Sequence, residues 1–312
     1  MKLTGSEHRA QEPTVDPSES LRFTKSTEML ITPRAVGGLY QRAEMLGRLP
    51  RGVQRWIVHR ATKDGSNIGF VVEPYAFFVA YAIEDETRAQ ELLPPQYHLL
   101  PTAMFAGTEP RYCAIVAAFN VHTSVFWGSR VEYYLIAEDR TTAMLSWVMC
   151  DYESNTISHD PGRGFSGSST RRAVITTTHA GDVVIDVESA RGPNRLAAVA
   201  DLGGASTRPL DQRLWLEGNL SVDYGGRLLD PDSVPFGLIF DPGEVERALD
   251  VPLDAVAVEA NTFGAGIMAA EPFEAACFPF AQHFQTTSFP VPNQIRDRDG
   301  LERAVQAINA GP

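Results

Sequence analysis

Apolar positions along the chain fall in short runs separated by turn residues, and most of the runs are of strand length. Residues 1–27 are polar and mixed in charge. They offer little apolar surface to offset ordering and are expected to form a flexible arm. Thr32-Pro33 predicts a helix start, with Thr32 as N-cap and Pro33 at the first helical position. Leu39, Ala43, Met45 and Leu46 give that helix an apolar side. From Trp56 the pattern turns to strands: RWIVHRA and NIGFVVE flank Lys63-Asp64-Gly65-Ser66, a hairpin signal. Tyr75–Ile83 is continuously apolar and belongs in the core. Asp85–Leu93 suits a short helix ended by Pro94-Pro95. Strands are predicted over Arg111–Phe119, Arg130–Ala137 and Ala143–Cys150, with Glu138-Asp139-Arg140 turning between the last two.

The stretch Ala143–Arg172 reads as a buried strand, a short helix over Glu153–Ser158, then a glycine- and serine-rich turn entering another strand. Ala173–Thr178 and Val183–Glu188 form a second hairpin about His179-Ala180-Gly181-Asp182. Further strands are expected at Arg195–Ala200, Arg213–Tyr224, Ala255–Glu259, Gly266–Ala270 and Ala276–Phe280. Asp241-Pro242-Gly243-Glu244 starts a short helix through Leu249, and Asp299–Ile308 is a closing amphipathic helix with Leu301, Val305 and Ile308 on one face. Many short strands with few helices predict an α+β protein, mostly antiparallel β, closed in a barrel-like way that removes sheet edges. The expected organisation is an arm over 1–27 and a single domain over 28–312.

Composition narrows the function classes. The net charge of −12 argues against a general nucleic-acid binder, which needs a basic face for phosphates. No segment has the roughly 18 consecutive apolar residues of a membrane span, and no signal-peptide run opens the chain, so a cytoplasmic protein is expected. Cys113, Cys150 and Cys277 are widely spaced and odd in number, which fits buried thiols rather than disulfides or a zinc knuckle. The histidines have no H-x-H or H-E-x-x-H spacing, so neither a metal nor another cofactor is expected. Gly164-Phe165-Ser166-Gly167-Ser168 lacks the final glycine of a nucleophile elbow. Lysine occurs only as Lys2, Lys25 and Lys63.

The apolar strand, the helix ending in Leu92-Leu93-Pro94-Pro95 and the central stretch resemble the acetoacetate decarboxylase superfamily. Families of this type carry a strand, Asp-Asn, a short helix, Gly-Arg-Glu, an aromatic-Pro pair and two lysines. Asp151-Tyr152, Glu153–Ser158 and Arg163-Gly164-Phe165-Ser166 line up with that series without a gap, and Asp254–Ala260 resembles a late strand. The resemblance covers roughly residues 70–290. It implies a barrel-like fold, a small-molecule substrate and a homo-oligomer. The two lysine positions fall on Gly167 and Ser168, the family's glutamate near Gly128 with Glu132 further along, and its early arginine near Tyr75. The family's Schiff base needs a lysine amine, and arginine is no substitute because it stays protonated.

If the same pocket is reused, His159 beside Asp160 is a candidate proton shuttle, Arg163 a carboxylate holder, and Glu132 a buried acid or base. Alternation puts Glu132 and Tyr134 on one strand face and Tyr133 on the other. Tyr75, His122, Trp127, Tyr134, Phe165, Ser166 and Ser168 are candidate substrate-binding residues. The reading is a divergent enzyme using non-Schiff-base acid–base chemistry, of lyase, dehydratase or cyclase type, on a small or medium carbonyl or carboxylate compound, in a biosynthetic setting. A non-catalytic binder or oligomeric scaffold on the same fold is the alternative. A different β-barrel, such as a lipocalin-like carrier, stays open beside them.

Overall fold

A computed structural model describes residues 17–62, 68–123, 127–231, 234–286 and 293–311. The described residues form five α-helices: α1 (Pro17–Leu30), α2 (Pro33–Gly47), α3 (Arg51–Thr62), α4 (Glu86–Glu91) and α5 (Arg298–Ala310). The strands of the first half are β1 (Gly69–Val72), β2 (Ala76–Ile83), β3 (Tyr97–Leu99), β4 (Pro101–Thr102), β5 (Arg111–Thr123), β6 (Trp127–Asp139) and β7 (Leu145–Ser154). A short hairpin, β8 (Ser158–Asp160) and β9 (Gly164–Ser166), leads into β10 (Thr170–Thr177), β11 (Asp182–Ser189), β12 (Arg195–Asp201) and β13 (Ser206–Pro209). The remaining strands are β14 (Val222–Tyr224), β15 (Leu238–Phe240), β16 (Arg247–Asp250), β17 (Val256–Asn261), β18 (Met268–Phe278) and β19 (Gln282–Thr286).

The architecture is mostly antiparallel β with few helices, as the pattern predicts. A 13-stranded sheet runs β13-β16-β18-β2-β5-β1-β19-β15, and β6 and β7 branch from it beside β5. No pairing between these strands among the described residues closes it into a barrel, although an isolated Val222–Phe236 bridge ties the segment leading into β15 to β14, which pairs with β7. Its length comes from β5, whose first part pairs with β2 and whose end pairs with β1. Strand alternation divides the core in two. One face carries Phe77, Val79, Val116, Val131 and Tyr133, packed with Ile175, Val183, Ile185 and Val187 of the four-stranded sheet β10-β11-β12-β17. The other carries Ile115, Ala117, Tyr134, Trp147 and Met149. Glu132 and Tyr134 thus share a face and Tyr133 lies on the opposite one, as alternation requires. All three cysteines are free and buried.

Several local expectations are corrected. Residues 17–27, assigned to the loose arm, are helical: Phe23 and Thr27 are fully buried one turn apart, and Gln285 donates to Ser26 Oγ at 3.0 Å and Thr27 Oγ1 at 3.1 Å. Residues 1–16 of that arm, and the Lys63–Ser66 turn, lie outside the described residues. RWIVHRA is part of α3, not a strand. Its Ile57-Val58 pair favours β locally, but Gln54 and Ile57, three apart, face the β8–β9 hairpin and the space below it. Glu153–Ser158 is not a helix, because β7 continues against β6 as far as the Arg130–Ser154 pair. Arg213–Tyr224 is a π-turn over Arg213–Glu217 and a 3-10 turn over Gly218–Leu220 before β14. Its Leu214-Trp215-Leu216 run is buried on all sides, and both Trp147 and Leu214 are tied there by a 3.0 Å bond from indole to carbonyl. After a 3-10 turn at Pro242–Val245 the chain enters β16 rather than a helix. The two strands expected at 266–270 and 276–280 are one, β18, with register shifts about Pro272. The Thr32-Pro33, Asp85 and 299–308 helices form as expected, and Asp85 accepts from the Arg88 amide at 3.0 Å.

Candidate active site

The site is built on β6. Arg130, Glu132 and Tyr134 follow at a spacing of two, so all three side chains leave the same face. All are buried, and Glu132 sits between Ala117 of β5 and Tyr152 of β7. Arg130 Nε donates to Glu132 Oε1 at 2.7 Å, with Nη2 also 2.7 Å from that oxygen. Arg130 Nη1 donates to Ser158 Oγ at 2.9 Å. The Tyr134 hydroxyl donates to Glu132 Oε2. Burial on its own lowers the Arg130 pKa, but Glu132 and Tyr152 overcome it and hold the group above the ordinary guanidinium value. Burial, then Glu132, pushes Tyr134 well above the usual phenol range, so it stays a proton donor.

A one-residue bulge in β7 brings Tyr152 onto this face. Tyr133 pairs with Asp151 and Tyr134 with Met149, which skips Cys150 and resets the alternation. The Arg130 guanidinium lies 4.4 Å from the Tyr152 ring centroid. Tyr152 in turn donates to the fully buried Asp160 at 3.0 Å. Asp160 also accepts from Arg163 Nε at 3.0 Å and from the Arg163 amide. These bonds fix the β8–β9 hairpin, which carries His159 and Phe165 with ring centroids 4.7 Å apart. Burial lowers the His159 pKa, Asp160 offsets part of that, and Arg51 lowers it further. The imidazole is therefore neutral at pH 7 and available as a base.

Arg130, Glu132, Tyr134, Ser158, His159 and Phe165 border a cavity of about 430 Å³. Its walls include Phe70, Phe78, Phe119, Trp147, Trp215, Phe236 and Phe284. The rings pack edge-on: Tyr134 and Trp147 are 5.1 Å apart and Phe78 and Trp215 4.9 Å. Leu46 of α2 and Ile57 of α3 form part of the lining. The start of α3 is held to the hairpin by the Phe165 amide donating to Gln54 Oε1 at 2.9 Å and by Arg51 donating to the Pro161 carbonyl.

Of the residues picked from the sequence, Glu132, Tyr134, His159 and Phe165 line this cavity. Arg163 does not. Its guanidinium is drawn to Asp160 and lies 4.7 Å from the Tyr152 ring centroid. Ser166 and Ser168 are outside the lining, and Ser168 is exposed beside Thr170. His122 pairs with Glu73 at 2.5 Å, and its ring lies 4.6 Å from Trp127. Their neighbours Phe119 and Val121 alternate towards the cavity, so His122 and Trp127 face away from it. Tyr75 has a left-handed backbone, φ 71°, and borders a separate cleft of about 110 Å³ with Asn120 and Ile175. Gly128 has no room for a side chain: a Cβ there would lie 2.1 Å from Asn155 Oδ1. Arg130, Ser158, Trp215 and Tyr224 line the cavity and were missed. Arg130 was legible, since it stands two residues before Glu132 on the same strand. The only described lysine, Lys25, is exposed on α1, and no group of His, Cys, Asp and Glu among the described residues is arranged for a metal.

No family model matches the sequence, and no curated protein does. Among solved structures the fold is similar to acetoacetate decarboxylase from Legionella pneumophila, with 12% identity and a TM-score of 0.41, over 70% of this chain and 84% of that one. It is also similar to the enduracididine biosynthesis enzyme MppR complexed with pyruvate, with 12% identity and a TM-score of 0.40, over 71% of this chain and 88% of that one. The HEPES-bound form of MppR matches with 12% identity and a TM-score of 0.38, over 72% and 87%. These likenesses carry no residue role over to this chain.

Proposed function

We propose that the chain is an enzyme that moves protons on a carbonyl or carboxylate compound without a Schiff base. The observation that carries this reading is the buried Arg130–Glu132–Tyr134 row bordering the cavity that the neutral His159 also lines. The Arg130 guanidinium holds the substrate's oxygen. His159 takes the proton from the adjacent carbon, and the electron pair of that C–H bond moves to form an enolate at the held oxygen. Glu132 orients Arg130 and Tyr134. The proton returns to carbon, or passes to a departing hydroxyl that leaves as water, which gives dehydration or, with an internal electrophile, cyclisation.

The test is deuterium exchange at C3 of 2-oxo acids in D2O, followed by NMR. The wild-type protein is expected to accelerate it. Glu132→Gln and His159→Asn are each expected to lower the rate about 10²–10⁴-fold. Because His159 acts deprotonated and its pKa is lowered, the rate should be level at neutral pH and fall only below the ordinary histidine value of about 6.5. Exchange unaffected by both substitutions sinks the assignment. Borohydride added with the same acids is expected to leave the protein's mass unchanged, since no lysine is among the described residues of the lining; a trapped adduct on mass spectrometry would restore Schiff-base chemistry. A non-catalytic binder is the second reading, favoured by one observation: both Glu132 oxygens already accept hydrogen bonds. Binding with no exchange in the wild type selects it.

A further inference from the structure

The cavity extends well beyond its charged row. Reading across the sheet, its lining passes from Met149 on β7 and Glu132 on β6 to Val121 on β5, Phe70 on β1, Phe284 on β19 and Leu238 on β15. From β6 through β5 and β1 to β19 is three strand spacings, about 14 Å at about 4.8 Å each. The polar groups cluster at the β6–β8 end, where Ser158 and His159 join the row. At the far end the Gln282 amide nitrogen donates to the Glu244 carbonyl at 3.3 Å and Thr286 Oγ1 accepts from the Ile68 amide at 3.2 Å; elsewhere in the lining Asn219 donates to the Trp215 carbonyl at 2.6 Å. The rest of the lining there is ring and aliphatic carbon. A volume of about 430 Å³ lies in the range of roughly 300–1,000 Å³ that encloses drug-sized molecules. A three-carbon oxo acid held at Arg130 would leave the aromatic wall without a partner.

We infer that the substrate is an extended, largely apolar carbonyl compound whose single oxygen-bearing head sits at Arg130 and whose body crosses β5 and β1 to β19 and β15. The position of the head rests on the acid–base reading; the size and apolar character of the body rest on the lining alone. Two kinds of compound share this chemistry, a long acyl chain and a fused aromatic ring system.

The experiment is calorimetric binding of 2-oxo acids of 3, 8, 12 and 16 carbons, and of 2-naphthoic acid, to the whole chain. Kd is expected to fall about fourfold per added methylene until the cavity is filled. Leu238→Trp, at the β15 end, is expected to weaken the longer members at least tenfold more than the three-carbon acid. Phe236→Ala, which enlarges the cavity where Phe236 meets Val222 and Tyr224, should move the optimum to longer members, with circular dichroism checking the fold of both variants. Tighter binding of the naphthoate than of the 12-carbon acid assigns a ring body, and the reverse an acyl body. A Kd independent of length, or length dependence untouched by both variants, overturns the inference. Length-dependent binding with no C3 exchange removes the acid–base reading and leaves this one standing. Exchange confined to the three-carbon acid does the opposite.

Discussion

Arg130→Met is expected to destabilise the protein by about 3–5 kcal/mol at pH 7, because it leaves the Glu132 carboxylate buried with only the Tyr134 hydroxyl for company. For a chain of this size that corresponds to a fall in Tm of roughly 5–8 °C. The double variant Arg130→Met/Glu132→Leu should recover much of the loss, since removing both partners leaves no uncompensated charge. Denaturant melts of the wild type and the two variants at pH 7 check this. A double variant no more stable than Arg130→Met alone would refute the pairing.

The second large effect lies away from the cavity. Asp223 on β14 is buried, with Oδ2 accepting from the Tyr97 hydroxyl at 2.9 Å and from Gln96 at 3.4 Å. Burial raises its pKa from 3.8 to about 6, against the hydrogen bonds from Tyr224 and Tyr97 that favour the carboxylate. The folded state therefore holds the proton more tightly than the unfolded chain does. Stability from this group is highest below about pH 4 and falls as pH rises to about 6, by about 3 kcal/mol at about 1.4 kcal/mol per pKa unit. Asp223→Asn removes the titration. The difference in unfolding free energy, variant minus wild type, should rise by up to that amount between pH 4 and pH 6.5 and then level off. A difference flat across that interval would contradict the raised pKa.

How much of this was legible in the chain depends on the range of the physics involved. The closing helix could be read because Leu301 and Val305, one turn apart, need only the helical period to share a face, and both are buried. The Asp85 cap could be read because its partner amide is three residues away. The α1 helix could not. Its ordering depends on Phe23 and Thr27 meeting β19, more than 250 residues later, and a polar sequence gives no notice of that. Composition placed RWIVHRA in a strand, and packing on the hairpin of Phe165 made it a helix.

The candidate site divides along the same line. His159 and Arg163 were picked together from one short stretch, and the structure separates them: His159 lines the cavity while Arg163 is taken up by Asp160, itself held by Tyr152 from β7. The sequence by itself determined the sharing of a strand face by Glu132 and Tyr134, and with it the place of Arg130, because side-chain alternation is a local property of an extended backbone. Only the tertiary structure decided that this face borders an apolar cavity rather than solvent, that Arg130 and Glu132 neutralise each other there, and that partial burial lowers the His159 pKa. Those outcomes depend on which distant strands pair and on how much water their packing excludes, and burial of that kind is a property of the assembled sheets.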